Sequence, residues 1–174
     1  ERKLSFTVQR VRGLPRFYGD PKRLSQALGQ VISNAIKYTP DGGHIDVSFK
    51  YIARDNQRGE SIEIAISDSG IGVNPQYLES IFEKFFRVGS TALHSTGTTK
   101  FMGAGPGLGL AIARGIVEGH GGKIWAESPG FDMEKLPGTQ IHIILPLKPA
   151  PFATKSSAAF IGMEIDKDTP DITV

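Results

Sequence analysis

The chain has 174 residues, 39% apolar and 22% charged, with no cysteine. That is enough for one domain with a sizeable core, and it excludes disulfides, thiol catalysis and a cysteine-based zinc site, as fits a cytosolic protein. Its 20 basic and 18 acidic residues leave a net charge of +2, too balanced to argue for nucleic acid or an anionic membrane as partner.

No apolar run approaches the ~18 residues of a membrane span, and Glu1-Arg2-Lys3 is not a signal peptide. The first residue is not methionine and the stretch Lys3-Leu-Ser-Phe-Thr-Val8 starts in mid-strand, so the chain reads as a piece of a longer one. Asp20-Pro21 is a helix start, a capping carboxylate followed by proline in the first turn. Leu24, Ala27, Leu28, Val31, Ile32, Ala35 and Tyr38 then keep helical spacing until Pro40-Asp-Gly-Gly43. Residues 45–52 and 61–67 alternate apolar and polar side chains as half-buried strands do. A short helix fits 75–86. Residues 87–104 are polar, rich in Gly, Ser and Thr and free of pattern, a loop of the lid kind expected to be mobile without ligand. Residues 108–118 form the next amphipathic helix, closed by Gly119-His-Gly-Gly122, and 123–127 and 139–145 read as closing strands. The expected fold is α+β, a two-layer sandwich of one mixed five-stranded sheet under about three helices, spanning residues 1–148. Residues 149–174 read as a poorly ordered linker or tail.

Four stretches carry candidate chemistry. Gln30, Asn34 and Lys37 share one face of the first helix, with Asn34 at the edge of the apolar stripe. Its amide oxygen suits Mg²⁺, which takes few protein oxygens, and Lys37 one turn on can meet a phosphate. A boundary asparagine bonded to backbone and a solvated lysine explain the same residues. Asp68, at a strand end before Ser69-Gly70-Ile71-Gly72, can accept a hydrogen bond from an exocyclic amine while the glycines admit a flat ring. An Asp-Gly turn is the plainer alternative. Ile81-Phe82-Glu83-Lys84-Phe85-Phe86-Arg87 places three phenylalanines where core packing is expected, with Arg87 opening the lid either as a solvated cation or as a polyphosphate contact. Gly103-Ala-Gly105-Pro-Gly107-Leu-Gly109-Leu110 lets backbone approach an anion at a helix start, or simply forms a flexible loop.

In this order the four stretches resemble the catalytic, ATP-binding domain of bacterial-type sensor histidine kinases, within the wider group that includes gyrase-type ATPases. Residues 20–40 look like its N box, 68–72 its G1 box, 81–88 its F box, and 105–110 with Gly121-Gly122 its G2 region, so the likeness covers about residues 3–147. The resemblance implies the Bergerat-type ATP-binding sandwich, with ATP and Mg²⁺ as cofactors. It implies Asn34 as metal ligand, Lys37 on phosphate, Tyr38 against the base and Asp68 on the adenine amine, with Gly70 and Gly72 lining that pocket. Gly105, Gly107 and Gly109, with Leu108 and Leu110, would cradle the phosphates, and Arg87 and Lys100 would steady the γ-phosphate. No GxxxxGK[ST] P-loop occurs.

The family's partners would be a dimeric helical domain carrying the phosphoacceptor histidine, expected upstream, and a response regulator. The isolated chain would be monomeric and its parent homodimeric and cytoplasmic, or the cytoplasmic part of a membrane-anchored sensor. None of His44, His94, His120 or His142 stands in the acceptor setting, a helix with an acidic residue next in sequence, so all four read as structural or solvent-exposed. One departure matters. Kinases of the family often carry a second asparagine four residues before the metal-binding one, and hydrolysing relatives a glutamate; here Gln30 stands there, and an amide is no base for water. Three functions compete: a kinase domain, an ATP-hydrolysing switch that lacks its base, and a nucleotide-binding scaffold.

Overall fold

The structure, a computed structural model, describes residues 3–9, 13–53, 59–87, 106–148 and 159–161. In chain order its elements are β1 (Ser5–Val8), β2 (Phe17–Gly19), α1 (Pro21–Tyr38), β3 (His44–Ile52), β4 (Ser61–Asp68), α2 (Gly109–Gly119), β5 (Lys123–Glu127), β6 (Thr139–Pro146) and β7 (Ala159–Ile161). Five strands make one mixed sheet in the order β1-β3-β4-β6-β5. β1 runs parallel to β3, and every other pair is antiparallel. The expected mixed five-stranded sheet under helices is therefore the fold.

Strand alternation sends one row of each strand to the helices. Ile45 and Val47 of β3, Ile62, Ile64 and Ile66 of β4, and Ile141, Ile143 and Leu145 of β6 are buried in one core with α1 and α2. A fully buried isoleucine contributes about 1.5–3 kcal/mol, and Ile66 and Ile143 are each 1% exposed. α1 starts where its cap predicts: Asp20 Oδ1 accepts from the N–H groups of Lys22 and Arg23 at 3.0 and 3.1 Å. Leu24, Ala27, Val31 and Ala35 bury its inner face. The helix stops because Pro40 pushes the preceding residue out of the α region. Thr39 is extended at φ −97°, ψ 125°, and its buried hydroxyl donates back to the Ala35 carbonyl at 2.7 Å.

The helix expected over 75–86 is instead two 3-10 turns, Pro75–Tyr77 and Ser80–Phe82. Propagation fails because Glu83 is extended (φ −79°, ψ 149°) and Phe85 takes a positive φ of 65°, which a non-glycine residue adopts only where its surroundings impose it. Of the three phenylalanines only Phe82 enters the core, at 3% exposed. Phe86 is half-buried against the Tyr77 ring, and Phe85 is 69% exposed. β2 and β7, two short strands with no counterpart in the sequence reading, pair antiparallel in a separate sheet; β7 lies inside the stretch read as linker or tail. Among the described residues no helix is long and apolar enough to cross a membrane.

Candidate functional site

The C-terminal end of α1 meets the loop after β4. The Ile71 N–H donates to the Tyr38 carbonyl at 3.2 Å. A Cβ on Gly70 would collide with that same carbonyl and would stand 2.7 Å from Asp68 Oδ1. Only glycine permits this approach, so Asn34, Lys37 and Tyr38 on the last turns of α1 are joined to Asp68 and Gly70 through direct backbone contact. Asn34, Lys37, Tyr38 and Asp68 are all half-buried, and the Lys37 ammonium lies over the Tyr38 ring, 4.9 Å from its centroid.

Asp68 ends β4 with its carboxyl pushed up to about 6. Burial is the main cause; hydrogen bonds from the Gly70 and Thr139 backbone and the nearby His44 pull in the other direction. The Gly70 N–H reaches Oδ1 at 2.9 Å. A half-buried carboxylate held at a strand end, beside a loop with glycine at 70 and 72, is suited to an exocyclic amine on a flat ring.

Behind the glycines stands a brace that the sequence reading missed, the connection from β5 to β6. Ser128 Oγ accepts from the Val73 N–H at 3.0 Å and lies 2.9 and 2.7 Å from the Gly130 and Gly138 carbonyls, which share its one proton. The Asp132 N–H donates to Ile71 O and the Gly138 N–H to Gly70 O, each at 2.9 Å. Gly72, at φ +73°, bridges to Phe131, and a Cβ on it would strike the Gly130 carbonyl. The signal was present in Ser128-Pro-Gly130 and Pro137-Gly138, two turn clusters too far apart for a tight hairpin.

α2 supplies the third wall. Its N-cap, Leu108, makes no side-chain capping bond, and the N–H groups of a first turn without such a cap suit an anion. Gly107, at φ +70°, accepts from the Phe85 N–H at 2.9 Å and touches Phe86, tying this turn to the phenylalanine stretch. Gly109 lies against Gln30 of α1, where a Cβ would come 2.7 Å from Oε1. Leu110 is buried in the core and Leu108 is half-buried. Arg87 is exposed at the edge of this region. Lys100, Gly105, His94 and the rest of residues 88–105, which hold the expected lid at 89–104, lie outside the described residues.

These residues fit a magnesium nucleotide. Asp68 and the glycine loop match a base, the uncapped turn of α2 matches phosphate, and the Asn34 amide oxygen matches a cation that keeps most of its waters. Among the described residues no group of three or more His, Cys, Asp or Glu side chains could hold a metal by itself. The three described histidines make contacts within the scaffold. His120 Nε2 accepts from the Asp20 N–H at 3.0 Å, which leaves Nδ1–H to donate to Ile116 O at 2.7 Å. His142 stacks on Trp125 at 4.7 Å and contacts Glu63 at 2.8 Å, while His44 is exposed beside Asp46.

Comparison with known proteins agrees with the fold. Residues 19–149 match the family described as histidine kinase-, DNA gyrase B-, and HSP90-like ATPase. The sensor histidine kinase WalK of Bacillus subtilis (strain 168) is 38% identical over 129 residues, covering 74% of this chain and 18% of WalK. The chain thus spans less than a fifth of that relative. A solved mycobacterial sensor histidine kinase, MprB, superposes with a TM-score of 0.62 at 32% identity, over 85% of this chain and 83% of that one. The histidine kinase ThkA, solved in complex with the response regulator protein TrrA, gives a TM-score of 0.58 at 25% identity, over 83% of this chain and 34% of that one.

Proposed function

Because the chain belongs to the family of histidine kinase-, DNA gyrase B- and HSP90-like ATPases, we propose that it binds Mg-ATP and donates the γ-phosphoryl group to a histidine on a separate dimeric helical domain, as the catalytic domain of a two-component sensor histidine kinase. The observation that carries this reading is the junction of Tyr38, Asp68 and Gly70, where the half-buried Asp68 carboxyl and the C-terminal end of the helix that carries Asn34 meet through backbone contact.

Asp68 accepts from the adenine amine, Gly70 and Gly72 line the base, and Tyr38 packs against it. Asn34 offers its amide oxygen to Mg²⁺, and Lys37 and the first turn of α2 from Gly107 to Leu110 offset phosphate charge. Arg87, with Lys100 and Gly105 of the lid, completes the phosphate side. Bound Mg-ATP supplies the transferable phosphoryl group; the chain contributes positioning and charge neutralisation rather than covalent chemistry. Gln30 bears no carboxylate to deprotonate water, which favours transfer over hydrolysis. The response regulator acts downstream, a role supported by the ThkA–TrrA complex of a relative, and the working compartment is the cytoplasm.

The test is transfer in trans. With γ-labelled ATP and Mg²⁺, label appears on a separately produced phosphoacceptor helical domain only when this chain is added, and Asp68→Asn abolishes the transfer. Label trapped stably on this chain alone, or no transfer to any such domain, contradicts the reading.

A further inference from the structure

Gly109 was read from sequence as a phosphate-cradling glycine, but in the fold its missing Cβ faces protein. The space is filled by Gln30: a Cβ there would stand 2.7 Å from Oε1 and 3.7 Å from Cδ of that side chain. Gln30 is half-buried on α1, one turn before Asn34 and on the same face. On the other side of the contact is the uncapped first turn of α2. One carboxamide therefore touches the helix that carries the metal-facing residue and the helix end that faces the phosphates.

We propose that Gln30 is a positioning residue, seated in the gap left by Gly109, that fixes the first turn of α2 relative to Asn34. The inference rests on the Mg-ATP reading and adds to it the reason for a glycine at 109. Apposition of the two helices sets how well one ligand satisfies Asn34 and the α2 N–H groups together. Gln30 thus governs the part of ATP affinity that depends on Mg²⁺, more than binding of the base.

The atom in the way of a Cβ at 109 is the tip of a flexible side chain, so Gly109→Ala displaces the carboxamide rather than the helix, and alanine is the better helix former. Gln30→Ala, Gly109→Ala and the double variant are compared in two ways. First, ATP affinity is titrated with and without Mg²⁺, and the ratio taken. Each single variant loses about tenfold of the Mg²⁺-dependent gain, as for other residues that hold metal ligands from behind, and the double loses no more than the worse single. Melting temperatures stay within about 3 °C of the parent. Second, without nucleotide, Gly109→Ala raises the melting temperature more in the Gln30→Ala background than in the parent, because the displaced carboxamide is then absent.

An unchanged Mg²⁺-dependent gain in either single variant, or losses that multiply in the double, overturns the positioning role. Equal melting shifts in both backgrounds overturn the steric couple. If the unaltered chain binds no Mg-ATP, the functional reading fails and takes the nucleotide half of the inference with it, while the melting comparison still decides the couple.

Discussion

Asp68 concentrates the chemistry of the site in one side chain. Its carboxyl sits at about 6, above the ordinary value, because burial disfavours the charge that base recognition needs. Below that value the empty site holds a protonated carboxyl, a donor facing another donor, so ATP affinity falls as pH drops from 7 toward 5. Titrating the chain at a series of pH values checks this, and an Asp68→Asn chain shows little of the effect. The same shift has a stability sign. The folded state holds this proton more tightly than the unfolded chain, so the contribution of Asp68 is most favourable below the ordinary carboxylate value. It is lost as pH rises through about 6. Asp68→Asn therefore melts a few degrees higher at pH 7 while binding ATP about 10–100-fold more weakly, the loss of a hydrogen bond to a charged group. A variant that melts lower and binds as before argues against Asp68 as a strained recognition residue.

At the scale of elements, the site is a set of junctions. Ser128 holds three backbone groups of two loops at once, through Val73, Gly130 and Gly138. Ser128→Ala leaves those groups short of a partner, costing about 1–3 kcal/mol, and loosens Gly70 and Gly72. Thermal melting reads the first effect and a severalfold weaker ATP titration the second. His120 ties the start of α1 to the end of α2 through Asp20 and Ile116. His120→Ala costs a similar amount by melting, yet leaves the Mg²⁺ dependence of ATP binding unaltered, since neither contact lies at the site. The elements themselves were largely legible. Asp20-Pro21 announced α1, and the isoleucine alternation in 62–66 and 141–145 announced β4 and β6, because caps and period-two burial are local. The stretch 75–86 was misread because its spacing is helical, whereas the turn geometry is set by Phe85 against Gly107, a contact across twenty-two positions.

For the whole molecule, the motif order allowed the fold to be read, and α1 and the strand end at Asp68 stand where the residues placed them. What escaped was everything decided by tertiary approach. The Ser128 brace, the Gln30–Gly109 contact, and the pairing of β2 with β7 join residues far apart in sequence, and no periodicity reports such pairs. The histidines follow the same rule: the sequence set all four aside as acceptors, but the clasp that His120 forms needed the fold.

The central claim is that this chain holds Mg-ATP between α1, the glycine loop and α2 without consuming it. Calorimetric titration with Mg-ATP tests that most directly. Saturable heat that ends when the site is full, with an affinity that Asp68→Asn lowers about 10–100-fold, is the predicted result. Heat that continues after saturation, or saturable binding that Asp68→Asn leaves untouched, contradicts it.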